Sequence, residues 1–302
     1  MNARAIPSRP DPVKGYEKAV KEQALLDSGG EGELNPRCAP VFLTHGRRTE
    51  RVVLWFHGYT NCPLQFERLA QRCFAEGWNA WVPRAPFHGL ADRMTSKTSL
   101  VTADMLARFA DRAVDIACGL GERVIVGGLS MGGTLSAWLG QNRADIDLAL
   151  PIAPVISPMP GPLLLARLLS FALRTLPDRL VWWDRARRES LEGPPHAYFR
   201  YSTKGVGEIM ALGQAFAGRA GKSAPAARRF RFVLNESDEA VSNAPAERIL
   251  EGWRRRGAAN VGETRFPREM GFRHDLIEPA QPYQRVDEVY PLLLELIRGE
   301  TS

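Results

Sequence analysis

Residues 123–133 read Arg-Val-Ile-Val-Gly-Gly-Leu-Ser-Met-Gly-Gly, which places Ser130 at the centre of a Gly-x-Ser-x-Gly pentapeptide directly after an apolar run. This order is typical of a nucleophile elbow, a sharp turn from strand to helix that exposes a serine hydroxyl. Gly128 and Gly132 have no side chains, so strand and helix can approach closely and the turn can adopt strained backbone angles. Because the chain has 27 glycines among 302 residues, the pentapeptide alone could arise by chance. The sequence around it must show whether Ser130 is a nucleophile.

Short apolar segments alternate with helical patterns along the chain. Seven segments rich in valine, isoleucine or phenylalanine predict strands, at residues 40–45, 51–57, 79–83, 123–128, 147–153, 230–235 and 263–267. Apolar residues at helical spacing lie between them, for example after Pro63 and from Met105 to Ile116. The alternation predicts an α/β fold with a largely parallel sheet that helices cover on both faces.

The alternation breaks at residues 155–205. Prolines between Pro154 and Pro162 lead into a leucine-rich stripe, and Trp182 and Trp183 follow. We expect a helical cap inserted over the carboxyl edge of the sheet, and the alternative is a pair of ordinary core helices. On this division residues 36–154 and 206–302 form the core. Residues 1–35 form an N-terminal extension with a possible helix at 13–26 and no assigned function.

Composition excludes several classes of protein. The mean hydropathy is −0.24, and no apolar stretch reaches about eighteen residues without a charge or a proline, so we expect neither a signal peptide nor integral membrane association. A cytoplasmic location is the default that follows. The net charge is +6, but most basic residues are arginines spread singly along the chain, which argues against nucleic-acid binding. Tight basic clusters occur only at Arg185–Arg188 and Arg254–Arg256.

The four cysteines, at positions 38, 62, 73 and 118, are scattered along the chain. They lack the spacing of metal ligands, so no metal site is expected. In a chain of this size their scatter is typical of ordinary reduced thiols.

A catalytic serine needs a base, and the base needs an acid that orients it. In this topology the expected chain order is serine, acid, histidine. Asp238 follows the strand predicted at 230–235, and His274 follows the one at 263–267. Because the carboxyl ends of parallel strands meet at one edge of a sheet, both should lie near Ser130. We predict Ser130 as nucleophile, His274 as general base and Asp238 as the acid.

Each assignment has alternatives. Glu236 and Glu239 flank Asp238, and a solvated acidic turn is the simplest alternative there. Asp275 adjoins His274, but a residue seldom presents its carboxylate to its neighbour's ring, so a structural role is favoured. Among the other histidines, His45 lies too early in the chain and His196 falls in the predicted cap. His57 and His88 lie in loops beside the predicted pocket.

The chemistry also requires two backbone N–H groups that stabilise the oxyanion. Met131, directly after the nucleophile, should supply one of them. The other should come from the loop after an early strand, which reads His-Gly-Tyr-Thr-Asn-Cys at residues 57–62. Gly58 lets that backbone turn, and we predict the N–H of Tyr59 as the second donor. His57 is then interpreted as a residue that shapes the loop.

Four motifs in this order together resemble the α/β-hydrolase superfamily, and more narrowly its capped bacterial carboxylesterases and monoacylglycerol lipases. They are Gly128–Gly132, His57–Thr60, Asp238–Val241 and His274–Asp275. The resemblance covers residues 40–298 and implies an eight-stranded, mostly parallel sheet, a lid after the sixth strand, a Ser-His-Asp triad and no cofactor. The chain departs from its relatives at Phe87-His88-Gly89, where they often carry Gly-His-Gly, and in the sequence of its cap.

These features predict a serine hydrolase that cleaves carboxylic esters of a small-molecule substrate through an acyl-serine intermediate. The apolar cap indicates an acyl or aromatic moiety. Acyl transfer and the hydrolysis of thioesters, amides or C–C bonds use the same residues and stay open. A ligand-binding protein that keeps the fold without the chemistry is less favoured, because all three triad members are present. The sequence indicates neither the physiological substrate nor the oligomeric state.

Overall fold

A computed structural model describes residues 5–29, 32–158, 161–183 and 193–299. Strands in this part of the chain are β1 Val41–Leu43, β2 Thr49–Phe56, β3 Asn79–Val82, β4 Gly121–Leu129, β5 Ile146–Ile152, β6 Leu180–Trp182, β7 Arg200–Ser202, β8 Arg229–Asn235 and β9 Val261–Phe266. Seven of them form one sheet in the order β1-β3-β2-β4-β5-β8-β9. Neighbouring strands are parallel except for β1, which is antiparallel to β3.

The predicted strands are confirmed, since each has a counterpart in this sheet whose ends agree to within about two residues. The eighth strand that the resemblance implies does not appear in the described residues. Ahead of β1 the chain forms a short 3-10 helix, Pro36–Cys38, and pairs only through an isolated bridge between Leu34 and Leu90. Pro36 and Pro40 have no backbone N–H to donate, which disfavours a strand there.

Helices cover both faces of the sheet, as its apolar strands require. They are α1 Tyr16–Ser28, α2 Leu64–Ala75, α3 Ala103–Leu120, α4 Met131–Asn142, α5 Leu163–Thr175, α6 Thr203–Ala220, α7 Ala244–Arg255 and α8 Val286–Arg298. Strand β2 shows how the two faces divide. Val52 and Leu54 belong to the same buried cluster as residues of α3, α4 and α6, whereas Val53 and Trp55 belong to the cluster that includes residues of α2 and α8.

The N-terminal helix α1 begins three residues and ends two residues later than the helix predicted at 13–26, and it packs along α3. A salt bridge of 2.7 Å joins Glu22 to Arg112 across this contact. No helix in the described ranges is both long and apolar enough to cross a membrane.

The insertion follows β5, the fifth strand of this sheet. It contains α5 and an antiparallel ribbon of β6 and β7, so it is partly helical and partly β. Helix α5 packs on α6, where Ser170 donates a hydrogen bond of 2.8 Å to the carbonyl of Gly207. The bounds 155–205 stay a prediction, and the basic run Arg185–Arg188 lies outside the described residues.

Candidate active site

Ser130 lies in the turn that joins β4 to α4. Its backbone angles, φ 58° and ψ −110°, are rare for a residue with a side chain, so the turn is strained. A Cβ atom on Gly132 would lie 1.9 Å from the carbonyl oxygen of Phe56, and one on Gly128 would lie 2.5 Å from it. Only glycine therefore fits at these two positions. The Ser130 N–H donates to the carbonyl of Ile152 at 2.9 Å, which holds the turn against the end of β5.

The structure brings His274 and Asp238 together. Nδ1 of His274 lies 2.8 Å from one carboxylate oxygen of Asp238 and 3.0 Å from the other. The Asp238 side chain is 1% exposed, and its carboxylate also accepts the N–H groups of Ala240 and Val241. These two bonds fix the carboxylate, which in turn fixes the imidazole with its Nε2 available for a proton.

The competing acids face elsewhere. Glu236 accepts the N–H of Arg268, and Glu239 forms a salt bridge of 3.1 Å with Arg273. Asp275 accepts hydrogen bonds from Gln65 at 3.1 Å, away from the ring of its neighbour. Among the acids considered from the sequence, Asp238 is the one hydrogen-bonded to His274.

Asp238 also changes the acidity of the histidine. Burial alone would lower the pKa of the His274 imidazole, but the hydrogen bond and the charge of Asp238, followed by the charges of Asp275 and Glu239, outweigh burial and raise the pKa above its ordinary value. A raised pKa makes the imidazole a stronger base. It also means that the ring takes up a proton sooner as the pH falls.

Ser130 and His274 line one cavity of about 680 Å³. No hydrogen bond joins their side chains in the described part of the chain, and such bonds are often long in sites without substrate. The cavity wall on the side of the insertion is strongly aromatic, with Trp182, Trp183, Tyr198 and Phe199. Arg93 also lines it, with its guanidinium carbon 3.8 Å from the centre of the Phe199 ring.

The loop after β2 carries the predicted donor Tyr59. Neither the N–H of Tyr59 nor that of Met131 has a hydrogen-bond acceptor within the described residues. Met131 is the first residue of α4, where the helix itself leaves N–H groups unbonded. Both groups are thus available to an anion, and the N-terminus of a helix favours negative charge.

Residues of the insertion hold this loop in place. Nε1 of Trp183 donates to the Thr60 hydroxyl at 2.6 Å, and the N–H of Tyr198 donates to the Thr60 carbonyl at 2.8 Å. Thr60 has φ 66°, a strained value that these contacts maintain. Trp183 and Thr60 are 123 residues apart, so the sequence carries no local signal for the contact.

The histidines set aside from the sequence have structural partners. His57 is buried, its Nδ1 donates to the carbonyl of Gly58 at 2.9 Å, and its Nε2 accepts the N–H of Ala85. Burial, together with neighbouring His88, holds the pKa of His57 well below its ordinary range. His196, from the insertion, shares its Nε2 proton between Glu278 at 2.8 Å and the Asn61 side chain at 2.9 Å. His196 therefore adds a third contact between the insertion and the loop.

The expectation that all four cysteines are reduced is wrong for two of them. Cys38 and Cys62 form a disulfide whose Cα atoms are 5.4 Å apart, while Cys73 and Cys118 are free. Cys62 ends the loop that carries Tyr59, so the bond ties that loop to the segment ahead of β1. The sequence did not reveal the pair because it lacks a spacing signature and its partners meet only in the folded chain.

Comparison with known proteins places these features in a family. A sequence model of the alpha/beta hydrolase family matches residues 41–286. A thermostable monoacylglycerol lipase from a Bacillus species is 30% identical over 106 residues, which cover 33% of this chain and only 39% of that relative.

Solved structures share the fold across most of the chain. One comes from work on LipS and LipT, two metagenome-derived lipolytic enzymes; it has a TM-score of 0.68 at 18% identity and covers 88% of this chain and 100% of that chain. The monoacylglycerol lipase of Paleococcus ferrophilus has a TM-score of 0.63 at 16% identity and covers 89% of this chain and 100% of its own. The predicted α/β-hydrolase fold is therefore confirmed.

We expect Asp238→Asn to lower the pKa of His274, because the change removes the negative charge that raises it. Titration of the imidazole signals by NMR measures this directly. Glu236→Gln is the matched control and should leave the His274 titration where it is. If the pKa of His274 shifted in Glu236→Gln and not in Asp238→Asn, the acid that interacts with His274 would be Glu236, and our assignment of Asp238 would be wrong.

We expect Cys38→Ser to lower the free energy of unfolding by about 3 kcal/mol, since it opens a covalent loop. Denaturant unfolding checks this, with Cys118→Ser as control because that thiol is free. Titration of the unfolded, unreduced protein should find two thiols rather than the four that the sequence contains. Four reactive thiols before reduction would contradict the disulfide.

Proposed function

Because the chain belongs to the α/β-hydrolase family, we propose that it is a serine hydrolase that cleaves carboxylic esters through an acyl-serine intermediate. The observation that carries the proposal is the bond of 2.8 Å between His274 and Asp238, at the wall of the cavity that Ser130 also lines. The relatives described by name as lipases and lipolytic enzymes support the choice of an ester substrate.

In the proposed mechanism, Oγ of Ser130 attacks the ester carbonyl while Nε2 of His274 takes its proton. Asp238 stabilises the imidazolium that forms. The negative charge moves to the carbonyl oxygen, which the N–H groups of Tyr59 and Met131 bind. Collapse of this intermediate breaks the bond to the alcohol, which leaves with the proton from His274. Water then attacks the acyl-serine while His274 takes its proton, and His274 returns this proton to Oγ of Ser130 as the bond to the acyl group breaks and the acid is released.

The wall of the cavity supports a substrate with an apolar or aromatic part. The rings of Trp183 and Tyr201 lie 4.5 Å apart and those of Trp182 and Phe199 lie 6.0 Å apart, so the insertion presents packed aromatic surface beside the site. Such surface excludes water from a bound acyl chain or ring. We propose that the insertion selects this part of the ester.

A fluorophosphonate probe should label the native protein at Ser130, because the probe reacts only with an activated serine. Ser130→Ala should abolish labelling and lower kcat for p-nitrophenyl esters by about 10⁴-fold or more. Asp238→Asn should lower kcat by a similar factor. Glu236→Gln should stay near the native rate. Equal labelling of Ser130→Ala and the native protein would exclude the proposed nucleophile.

The rate of ester hydrolysis should rise with acyl length from p-nitrophenyl acetate through butyrate to octanoate, because each added CH₂ buries apolar surface worth about 0.8 kcal/mol at most. Measurement of kcat/KM along this series at substrate concentrations below the micellar range tests the pocket. A sharp fall after acetate or butyrate would show that the aromatic wall does not bind an acyl chain.

Added hydroxylamine, which competes with water for the acyl group, reports how the acyl-serine partitions between acyl transfer and hydrolysis.

A further inference from the structure

Gln65 joins the two loops that carry the proposed oxyanion donor and the proposed base. It is the second residue of α2 and is 2% exposed. Its Oε1 accepts the N–H of Gly58 at 2.7 Å, and its Nε2 lies 3.1 Å from both carboxylate oxygens of Asp275. Gly58 immediately precedes Tyr59, and Asp275 immediately follows His274. One amide side chain thus links the two loops, and it lines the same cavity as Ser130 and His274.

We propose that Gln65 is a positioning residue that, through Asp275, fixes the N–H of Tyr59 relative to the imidazole of His274. This rests on the proposed function, because it assigns Gln65 a part in the same reaction. Gln65 does not act on the substrate itself. Its contribution is to set where the two loops stand when the oxyanion forms.

The chemistry of its two partners determines which way the Gln65 amide points. The N–H of Gly58 can only donate, so it must face the amide oxygen. An ionised carboxylate can only accept, so Asp275 must face the amide NH₂. A reversed amide would set donor against donor at Gly58 and oxygen against carboxylate at Asp275. Both contacts therefore enforce the same orientation, and neither loop can shift without weakening one of them.

Asp275 is a fixed point within its own loop. Its carboxylate accepts the N–H groups of Ile277 and Glu278, and the side-chain amide of Gln281. Burial, and then the charge of Glu278, raises the pKa of Asp275. The charge of Asp275 in turn raises the pKa of His274, while the hydrogen-bond partners of Asp275 are neutral amides. Because three groups of the loop that follows His274 bind this carboxylate, it moves with that loop. The position of the loop therefore determines where Gln65 finds its partner.

The loop that carries Tyr59 is held on both sides of the proposed donor. Gln65 binds Gly58 on one side. On the other, the single hydroxyl proton of Tyr59 is shared between the carbonyls of Thr98 and Ser202, each with its oxygen 3.3 Å from the hydroxyl oxygen. The Tyr59 N–H lies between these anchors, and its direction depends on both. Loss of one oxyanion donor costs ~10²–10³ in rate, so a misdirected donor should cost a measurable fraction of that.

The distinguishing test is Gln65→Glu, which adds a second carboxylate beside Asp275. When the carboxyl groups of residues 65 and 275 share one proton, the protonated group donates a hydrogen bond to the other. The second oxygen of the residue 65 carboxyl then accepts the N–H of Gly58, as the Gln65 amide oxygen does in the native protein. When both are ionised they repel each other, and the link opens. Native kcat should rise with pH to a plateau as His274 loses its proton. In Gln65→Glu we expect kcat to fall again at higher pH, which gives a new alkaline limb.

Two further variants separate positioning from stability. Gln65→Met has a similar shape without hydrogen bonds, so it should lower kcat about 10- to 100-fold at every pH, change KM little and show no alkaline limb. The double variant Gln65→Glu with Asp275→Asn sets the amide NH₂ of residue 275 against the carboxylate of residue 65, with the Gln281 amide turned so that its oxygen accepts from the same NH₂. It should remove the alkaline limb and recover most of the lost kcat. Rescue by a second change is not expected if Gln65 only fills space.

Steady-state kinetics with p-nitrophenyl butyrate across the pH range gives kcat and KM for all four proteins, and circular dichroism at each pH follows the fold. A native-shaped profile for Gln65→Glu, a loss that falls on KM alone, or no rescue in the double variant would overturn the positioning role. Unfolding that coincides with the alkaline limb would also overturn it and leave Gln65 a role in stability. Absence of Ser130-dependent turnover in the native protein would instead overturn the proposed function, and the positioning role with it.

Discussion

The close approach of the first turn of α4 to the carboxyl end of β2 is the constraint on which the site depends. Gly132 lies against the carbonyl groups of Phe56 and His57 at distances that leave no room for a Cβ atom. This contact places the N–H of Met131 beside the loop that carries the N–H of Tyr59. The absence of a side chain at Gly132 therefore permits this close approach, and polar contacts within the loop then set the direction of the Tyr59 N–H.

The register of the sheet extends this arrangement to the acid and the base. Phe56 pairs with Gly128, and Asn235 pairs with Phe266, so β2, β4, β8 and β9 end near the same edge. The loops after these four strands carry Tyr59, Ser130, Asp238 and His274 in turn. That Ser130, Asp238 and His274 lie at one edge could be predicted from the sequence, because each follows a strand that is recognisable by its own apolar pattern and parallel strands end together. The glycine spacing of the elbow is equally local.

Other features could not be predicted because no short stretch of sequence encodes them. Gln65 and Asp275 are 210 residues apart, and Cys38 and Cys62 meet only once the segment ahead of β1 has packed. A buried glutamine and a carboxylate look like ordinary surface residues until the fold brings them together. The sequence did predict a structural role for Asp275, since an adjacent carboxylate seldom reaches its neighbour's ring. It did not indicate the partner that gives the carboxylate this role.

These contacts explain how a short loop keeps its strained conformation. At one end Gln65 binds Gly58, and at the other the disulfide holds Cys62. Between them, Trp183 and Tyr198 from the insertion bind Thr60, whose φ of 66° is unfavourable for a β-branched residue. The loop is thus held at both ends and in the middle, which restricts the directions that the Tyr59 N–H can take. Donors that are oriented before the reaction stabilise developing charge without reorganising, and this is where electrostatic catalysis gains most. The insertion that lines the pocket thus also supports the loop that carries the proposed oxyanion donor, so under the proposed mechanism changes there should alter kcat as well as substrate choice.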